Sequence, residues 1–143
     1  MIVFIGCGKD KSKIQCQAQE MYKGQYFTTC LNYAQTLTDK DNIYILSANY
    51  GVLHLNEIIT PYNKTLNNAT KQEYEQWKQM VLQQLQKLGI TGEEEVTMLC
   101  GKNYYKGLLS YFKNVNLPLE QFKGMGYQIS FMKNNTKPKG SLL

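Results

Sequence analysis

Ser47, Asn49, Tyr50, Glu57 and Tyr62 gather a hydroxyl, an amide, two phenols and a carboxylate into 16 residues, directly after the apolar run Ile43, Tyr44, Ile45 and Leu46. An apolar run that breaks into small, polar and glycine residues marks the carboxyl end of a sheet strand, where open α/β folds build their sites. Glu57 is the candidate general acid or base, because Ile58, Ile59 and Pro61 beside it would bury it in part and raise its pKa toward neutrality. Its plainer role is to anchor the loop by accepting hydrogen bonds from backbone amides. Turn chemistry also accounts for much of the segment, since Gly51 and Pro61 are ordinary turn residues and Ser and Asn bond nearby backbone.

Two other segments have the same form: Gly6-Cys7-Gly8-Lys9-Asp10-Lys11 after residues 2–5, and Gly101-Lys102-Asn103 after residues 96–100. In a parallel sheet all three ends emerge on one edge, so Cys7, Ser47, Asn49 and Lys102 line one cleft. Cys7, Ser47 and Glu57 are therefore the candidate catalytic residues, and Lys9 and Lys11 favour a thiolate at Cys7. Gly8, Lys9, Lys11 and Lys102 offer backbone donors and positive charge to a phosphate. Tyr50, Tyr62, Tyr104 and Tyr105 can wall a pocket that stacks on a flat base, or simply pack at the sheet edge. Asn49, Gly51, Asn63 and Gly101 complete the expected substrate-binding set. Neither Gly-x-x-x-x-Gly-Lys-Ser/Thr nor Gly-x-Gly-x-x-Gly is present, so ATP hydrolysis and nicotinamide redox chemistry have little support and no cofactor is expected.

A single histidine, His54, does not support a Ser-His-Asp relay, and with four cysteines lacking any Cys-x-x-Cys pair it makes a poor zinc set. All 16 basic residues are lysine, giving a formal charge of +5. Ammonium groups attract phosphate but cannot make the forked contact of arginine to guanine, so base-specific reading of duplex DNA is unexpected. No apolar run approaches the roughly 18 residues of a membrane span, and the apolar start has no basic leader, so a cytoplasmic protein without a membrane partner is expected. The sequence leaves the oligomeric state open.

Hydrophobic patterning predicts strands over residues 2–5, 42–46, 96–100 and 115–119. Helices are predicted over 16–21, 26–37, 70–88, a short stretch around 104–112, and 126–133. Thr70 and Glu73 form a capping-box pattern, and Gly89 ends that helix. Residues 47–66 read as a long loop without periodicity. The expected fold is α/β: a single-layer, mainly parallel sheet of about four strands flanked by helices, in one domain over residues 1–133 with a mobile polar tail over 134–143.

The joint pattern Ile5-Gly6-Cys7-Gly8-Lys9-x-Lys11, Tyr44-Ile45-Leu46-Ser47-Ala48-Asn49-Tyr50-Gly51-Val52-Leu53 and Glu57-x-x-x-Pro61-Tyr62-Asn63-x-Thr65-Leu66 resembles an uncharacterised bacterial and phage family. Its members read Ser-Cys-Gly-Lys-Lys, Leu-Ser-Ala-Lys-Tyr-Gly-Leu and Pro-Tyr-Asp-x-Thr-Leu. Tyr74-x-x-Trp77, Cys100-Gly101-Lys102-x-Tyr104-Tyr105 and Gly124-Met125-Gly126 look like that family's closing segments. More distantly, the Leu-Ser-x-x-Tyr-Gly and Pro-Tyr elements resemble the YaaA-like peroxide-stress proteins, linked to DNA, and a domain of the archaeosine synthases, which modify a deazaguanine base in tRNA. The resemblance implies a nucleobase- or nucleotide-directed enzyme, a glycosidase or base-modifying transferase, with nucleotide or nucleic acid as partner. Asn49 stands where the family has lysine and Asn63 where it has aspartate. An amide cannot act as a base, which favours the alternative of a non-catalytic nucleotide- or nucleic-acid-binding module, phage-encoded and tied to host defence.

Overall fold

The computed structural model describes residues 1–136. Its first strand, β1 (Ile2–Gly6), is buried along nearly all its length and feeds both faces of the sheet. Because successive strand side chains point to opposite faces, Ile2 and Phe4 enter one core while Val3 and Ile5 enter the other. β3 (Ile43–Ser47) divides in the same way, with Tyr44 and Leu46 on the first face and Ile43 and Ile45 on the second. A strand covered on both faces needs continuous apolar sequence, which is why these runs are legible without alternation.

The sheet has five strands in the order β4 (Gly51–His54), β3, β1, β6 (Glu95–Leu99) and β7 (Asn114–Asn116). β6 and β7 continue the parallel set, with Ile5 opposite Ile45 on one side and Leu99 on the other. The fifth strand, β4, runs antiparallel to β3, pairing Gly51 with Ser47 and His54 with Tyr44. The long loop expected over 47–66 is therefore a hairpin followed by a second small pairing. In it, β5 (Ile58–Ile59) lies antiparallel to β2 (Cys16–Gln17). The helix expected from residue 16 is correspondingly cut to α1 (Ala18–Met21).

α2 (Gln25–Leu37) covers one face with Phe27, Cys30, Tyr33 and Ala34, and α5 (Met125–Asn134) adds Met132 beside it. α3 (Lys71–Lys87) covers the other with Trp77, Val81 and Leu85, joined by Tyr104 and Tyr105 of α4 (Lys102–Tyr105). Thr70 Oγ1 accepts from the Glu73 N–H at 3.1 Å while Glu73 Oε1 accepts from the Thr70 N–H at 2.9 Å, so the capping box closes as the sequence predicts. Of the expected polar tail, Asn134 ends α5, and residues 137–143 lie outside the described residues. No helix among the described residues is long and apolar enough to cross a membrane.

Candidate functional site

β3, β1 and β6 are adjacent and parallel, so their carboxyl ends share one rim. At the middle of that rim the chain leaves β1 toward α2 on one face and leaves β6 toward α4 on the other. Such a reversal opens a crevice between strand ends. β1 and β6 abut closely there, since a Cβ on Gly6 would lie 2.9 Å from the Cys100 Cβ.

A cleft of about 360 Å³ opens beside the end of β1. One wall is Cys7, Gly8, Lys9 and Lys11, the other is Asn63, Lys64, Thr65 and Asn67, and the Tyr104 ring closes the end. Of the expected residues the cleft unites Cys7, Gly8, Lys9, Lys11 and Asn63. Lys64, Thr65 and Asn67 are not among the residues expected from the sequence, although a lysine and amides next to Asn63 are a signal for them. The Cys7 thiol donates to the Tyr104 hydroxyl at 3.4 Å, and the Leu66 N–H donates to that same oxygen at 3.5 Å. Burial and the neighbouring Cys7 push the Tyr104 phenol above its ordinary range, so it stays a neutral partner to the sulfur.

Three lysines line this cleft, and no carboxylate among the described residues does. Lys11 is held in place, its Nζ lying 4.6 Å from the centroid of the Tyr62 ring and 3.3 Å from the Lys9 carbonyl, to which it donates. Its loop is tied back to the chain before α2: the Ser12 N–H donates to Met21 O at 2.7 Å and the Lys23 N–H to Asp10 O at 2.8 Å.

Ser47 is not in the cleft. Its side chain is fully buried, accepts from the Asn49 and Tyr50 N–H groups at 3.1 and 3.0 Å, and donates to the Tyr62 hydroxyl at 2.9 Å. That hydroxyl meets Tyr22 Oη at 2.7 Å, and the Ser47 carbonyl receives the Trp77 indole N–H at 2.8 Å. Burial pushes the Tyr22 phenol up to about 12, and burial with the nearby Cys7 pushes Tyr62 higher still. The serine organises the turn into β4 and leaves no hydroxyl free for substrate.

Tyr50 bonds Thr60 and stacks edge-on against Tyr62, and Asn49 is exposed on the turn. Gly51 has φ +75°, and a Cβ there would lie 2.2 Å from the Gln84 side-chain oxygen. Gln84 bridges the turn, accepting from the Val52 N–H at 2.8 Å and donating to the Tyr50 carbonyl at 2.9 Å. Glu57 is exposed, without the partial burial expected of it, because β4 carries the chain toward the opposite end of the sheet before Glu57 is reached. Its Oε1 accepts from the His54 N–H at 3.4 Å, the anchoring role. Gly101, Lys102 and Tyr105 line a separate hollow of about 300 Å³ on the β6 side of the rim. Among the described residues no group of three or more His, Cys, Asp or Glu side chains is placed to hold a metal.

The sequence pattern of a family of unknown function, DUF6884, matches residues 2–134. The chain belongs to this family. The DUF6884 match begins at the first residue of β1 and ends at the last residue of α5, so every element that builds the rim lies inside it. This DUF6884 chain is also similar to the uncharacterized protein YfjM of Bacillus subtilis (strain 168), 25% identical over 150 aligned positions, gaps included, that cover 99% of this chain and 98% of that one.

Proposed function

We propose that the lysine-lined cleft receives the phosphate of a nucleotide or nucleic-acid strand, and that the chain is a nucleobase- or nucleotide-directed enzyme with Cys7 as its reacting group. The observation that carries this reading is the set of Lys9, Lys11 and Lys64 lining one cleft with the Cys7 thiol, a lining that holds no carboxylate among the described residues, with Glu73 near Lys64 in an adjoining hollow. Clustered ammonium groups attract phosphate. Of the two expected activities, base-modifying transfer through sulfur suits the lining residues better than a glycosidase, whose usual mechanism uses two carboxylates across the scissile bond. The resemblance to YaaA-like proteins and to the archaeosine synthase domain supports a nucleobase as the reacting part.

The second reading is a binding module without turnover. Asn63 favours it, because an amide sits in the cleft where the resembled family carries aspartate. Incubating the protein and its Cys7→Ser variant with nucleosides, nucleotides, and modified DNA and tRNA, with products followed by mass spectrometry, separates the two. Product formed by the wild type and lost in Cys7→Ser supports the enzyme. Salt-dependent binding without product supports the module, and neither binding nor product overturns both.

A further inference from the structure

Among the described residues two hollows open at the carboxyl ends of β1 and β6, and another of about 340 Å³ adjoins the first through Asn63, Lys64 and Thr65. The lysine-lined cleft begins at Cys7, and the second hollow begins at Cys100, whose Cβ sits against Gly6. Consecutive rings of α4 face them, Tyr104 in the first and Tyr105 in the second. They differ in chemistry. The second is walled by Met98, Leu117, Leu119 and the Tyr105 ring together with the Gln128 amide, with Glu120 at its exposed edge. Among the described residues the Glu120 carboxylate and the Lys102 ammonium make no hydrogen bond or ion pair, so both are free to meet a ligand. Apolar and aromatic walls suit a flat ring, and a free carboxylate repels phosphate while accepting from N–H groups.

Gly101 lines the second hollow and is the N-cap of α4, a position that favours glycine but equally admits Ser, Thr, Asn or Asp. Its φ of −68° and ψ of 156° are open to any residue. A Cβ built there meets no atom within 4 Å. Of the other rim glycines, Gly51 is required by its positive φ and Gly6 by the approach of Cys100, whereas Gly8 in the cleft, like Gly101, is required by neither. A glycine that neither conformation nor packing requires, facing open space at the carboxyl end of a central strand, suits close passage of something outside the chain.

We infer that the two hollows are halves of one nucleotide site joined over Gly101, with the phosphate among Lys9, Lys11 and Lys64 and the base between Tyr105 and the Leu117 and Leu119 side chains. This rests on the phosphate reading of the first cleft and adds the ligand's orientation to it. The base presents an N–H edge to Glu120, and Lys102 meets the sugar or phosphate at the junction. Gly101→Val puts a branched side chain into the open space at the edge of the second hollow.

The test measures calorimetric binding of inorganic pyrophosphate, ribose 5-phosphate and AMP to the wild type, Gly101→Val and Glu120→Gln, with thermal melts as the check on folding. AMP should bind the wild type about tenfold or more tighter than ribose 5-phosphate, a margin set by burying the base. Glu120→Gln should erode that margin and leave pyrophosphate and ribose 5-phosphate unchanged. Gly101→Val should keep pyrophosphate binding and lose the advantage of AMP. Equal affinity for AMP and ribose 5-phosphate in the wild type, with pyrophosphate bound, overturns the two-part site and leaves the phosphate cleft standing. No binding of any of the three overturns the phosphate reading and this inference with it. Should Gly101→Val fail to fold, the wild-type comparison and Glu120→Gln still decide.

Discussion

Gly51→Ala tests whether the turn after β3 is fixed by structure rather than by a ligand. Alanine at φ +75° takes up left-handed backbone, which costs about 1–2 kcal/mol for a residue with a Cβ. That Cβ would also fall 2.2 Å from the Gln84 side-chain oxygen, so the amide must leave. With it go the bonds to the Val52 N–H and the Tyr50 carbonyl, together about 2 kcal/mol at the usual net value of a hydrogen bond. The expected loss of stability is about 3–4 kcal/mol. Gln84→Ala alone should cost about 2 kcal/mol, and the double variant little more than Gly51→Ala, because the first substitution has already displaced the amide. Urea unfolding followed by the fluorescence of Trp77, the sole tryptophan, reads all three. A cost for Gly51→Ala below about 1 kcal/mol, or strict additivity with Gln84→Ala, would refute the reasoning.

Ser47→Ala should destabilise by about 2–4 kcal/mol, since it strips the partner from two backbone N–H groups and a buried phenol, while pyrophosphate affinity of the folded fraction stays unchanged. Urea unfolding and calorimetry check the two halves of that statement. Glu57→Gln should leave nucleotide binding and any turnover at wild-type levels, because the carboxylate is exposed on the turn after β4 and is absent from both hollows. If the cleft binds a strand, replacing Lys9 and Lys64 together with Gln should flatten the slope of log K against log salt for single-stranded DNA by about 1.4, at about 0.7 for each phosphate no longer neutralised. The fold should also weaken in alkali. Burial pushes Tyr22 from 10.0 up to about 12 and Cys30 from 9.0 up to about 12, so both favour the folded state below pH 9. Their contribution fades as pH rises from 9 toward 12, where the unfolded chain loses its protons first, and the urea midpoint should fall across that window.

The strands and helices with strong local signals were legible in advance. Residues 2–5 and 42–46 are continuous apolar runs because both their faces are covered, and the Thr70 capping box needs only its own turn. β4 was hidden because it shows only Val52 and Leu53 as apolar residues, and β2 and β5 because each is two residues long and pairs across more than 40 positions. The site was half legible. The shared rim follows from strand direction, which alternating strands and helices imply. Side-chain direction does not follow: Tyr62, 15 residues away, turns Ser47 inward, and the β4 hairpin carries Glu57 off to the far end of the sheet. Lys64 and Asn67 reach the cleft only because the chain returns to the rim after β5, a path that no local pattern announces.

The small β2–β5 pairing also sets how the cleft can breathe. It is flanked by bonds from the Ala18 N–H to Glu57 O and from the Gln19 N–H to Leu55 O, both 2.8 Å, and continued by the Tyr22–Tyr62 hydroxyl contact. The two banks of the cleft are thereby sewn into one flap, with the Lys11 ammonium resting on a ring from the opposite bank. Widening the gap means parting this seam rather than swinging either bank alone. Amide protons on both banks should then exchange with deuterium at a common rate, and a ligand that ties the banks together should slow them as one group.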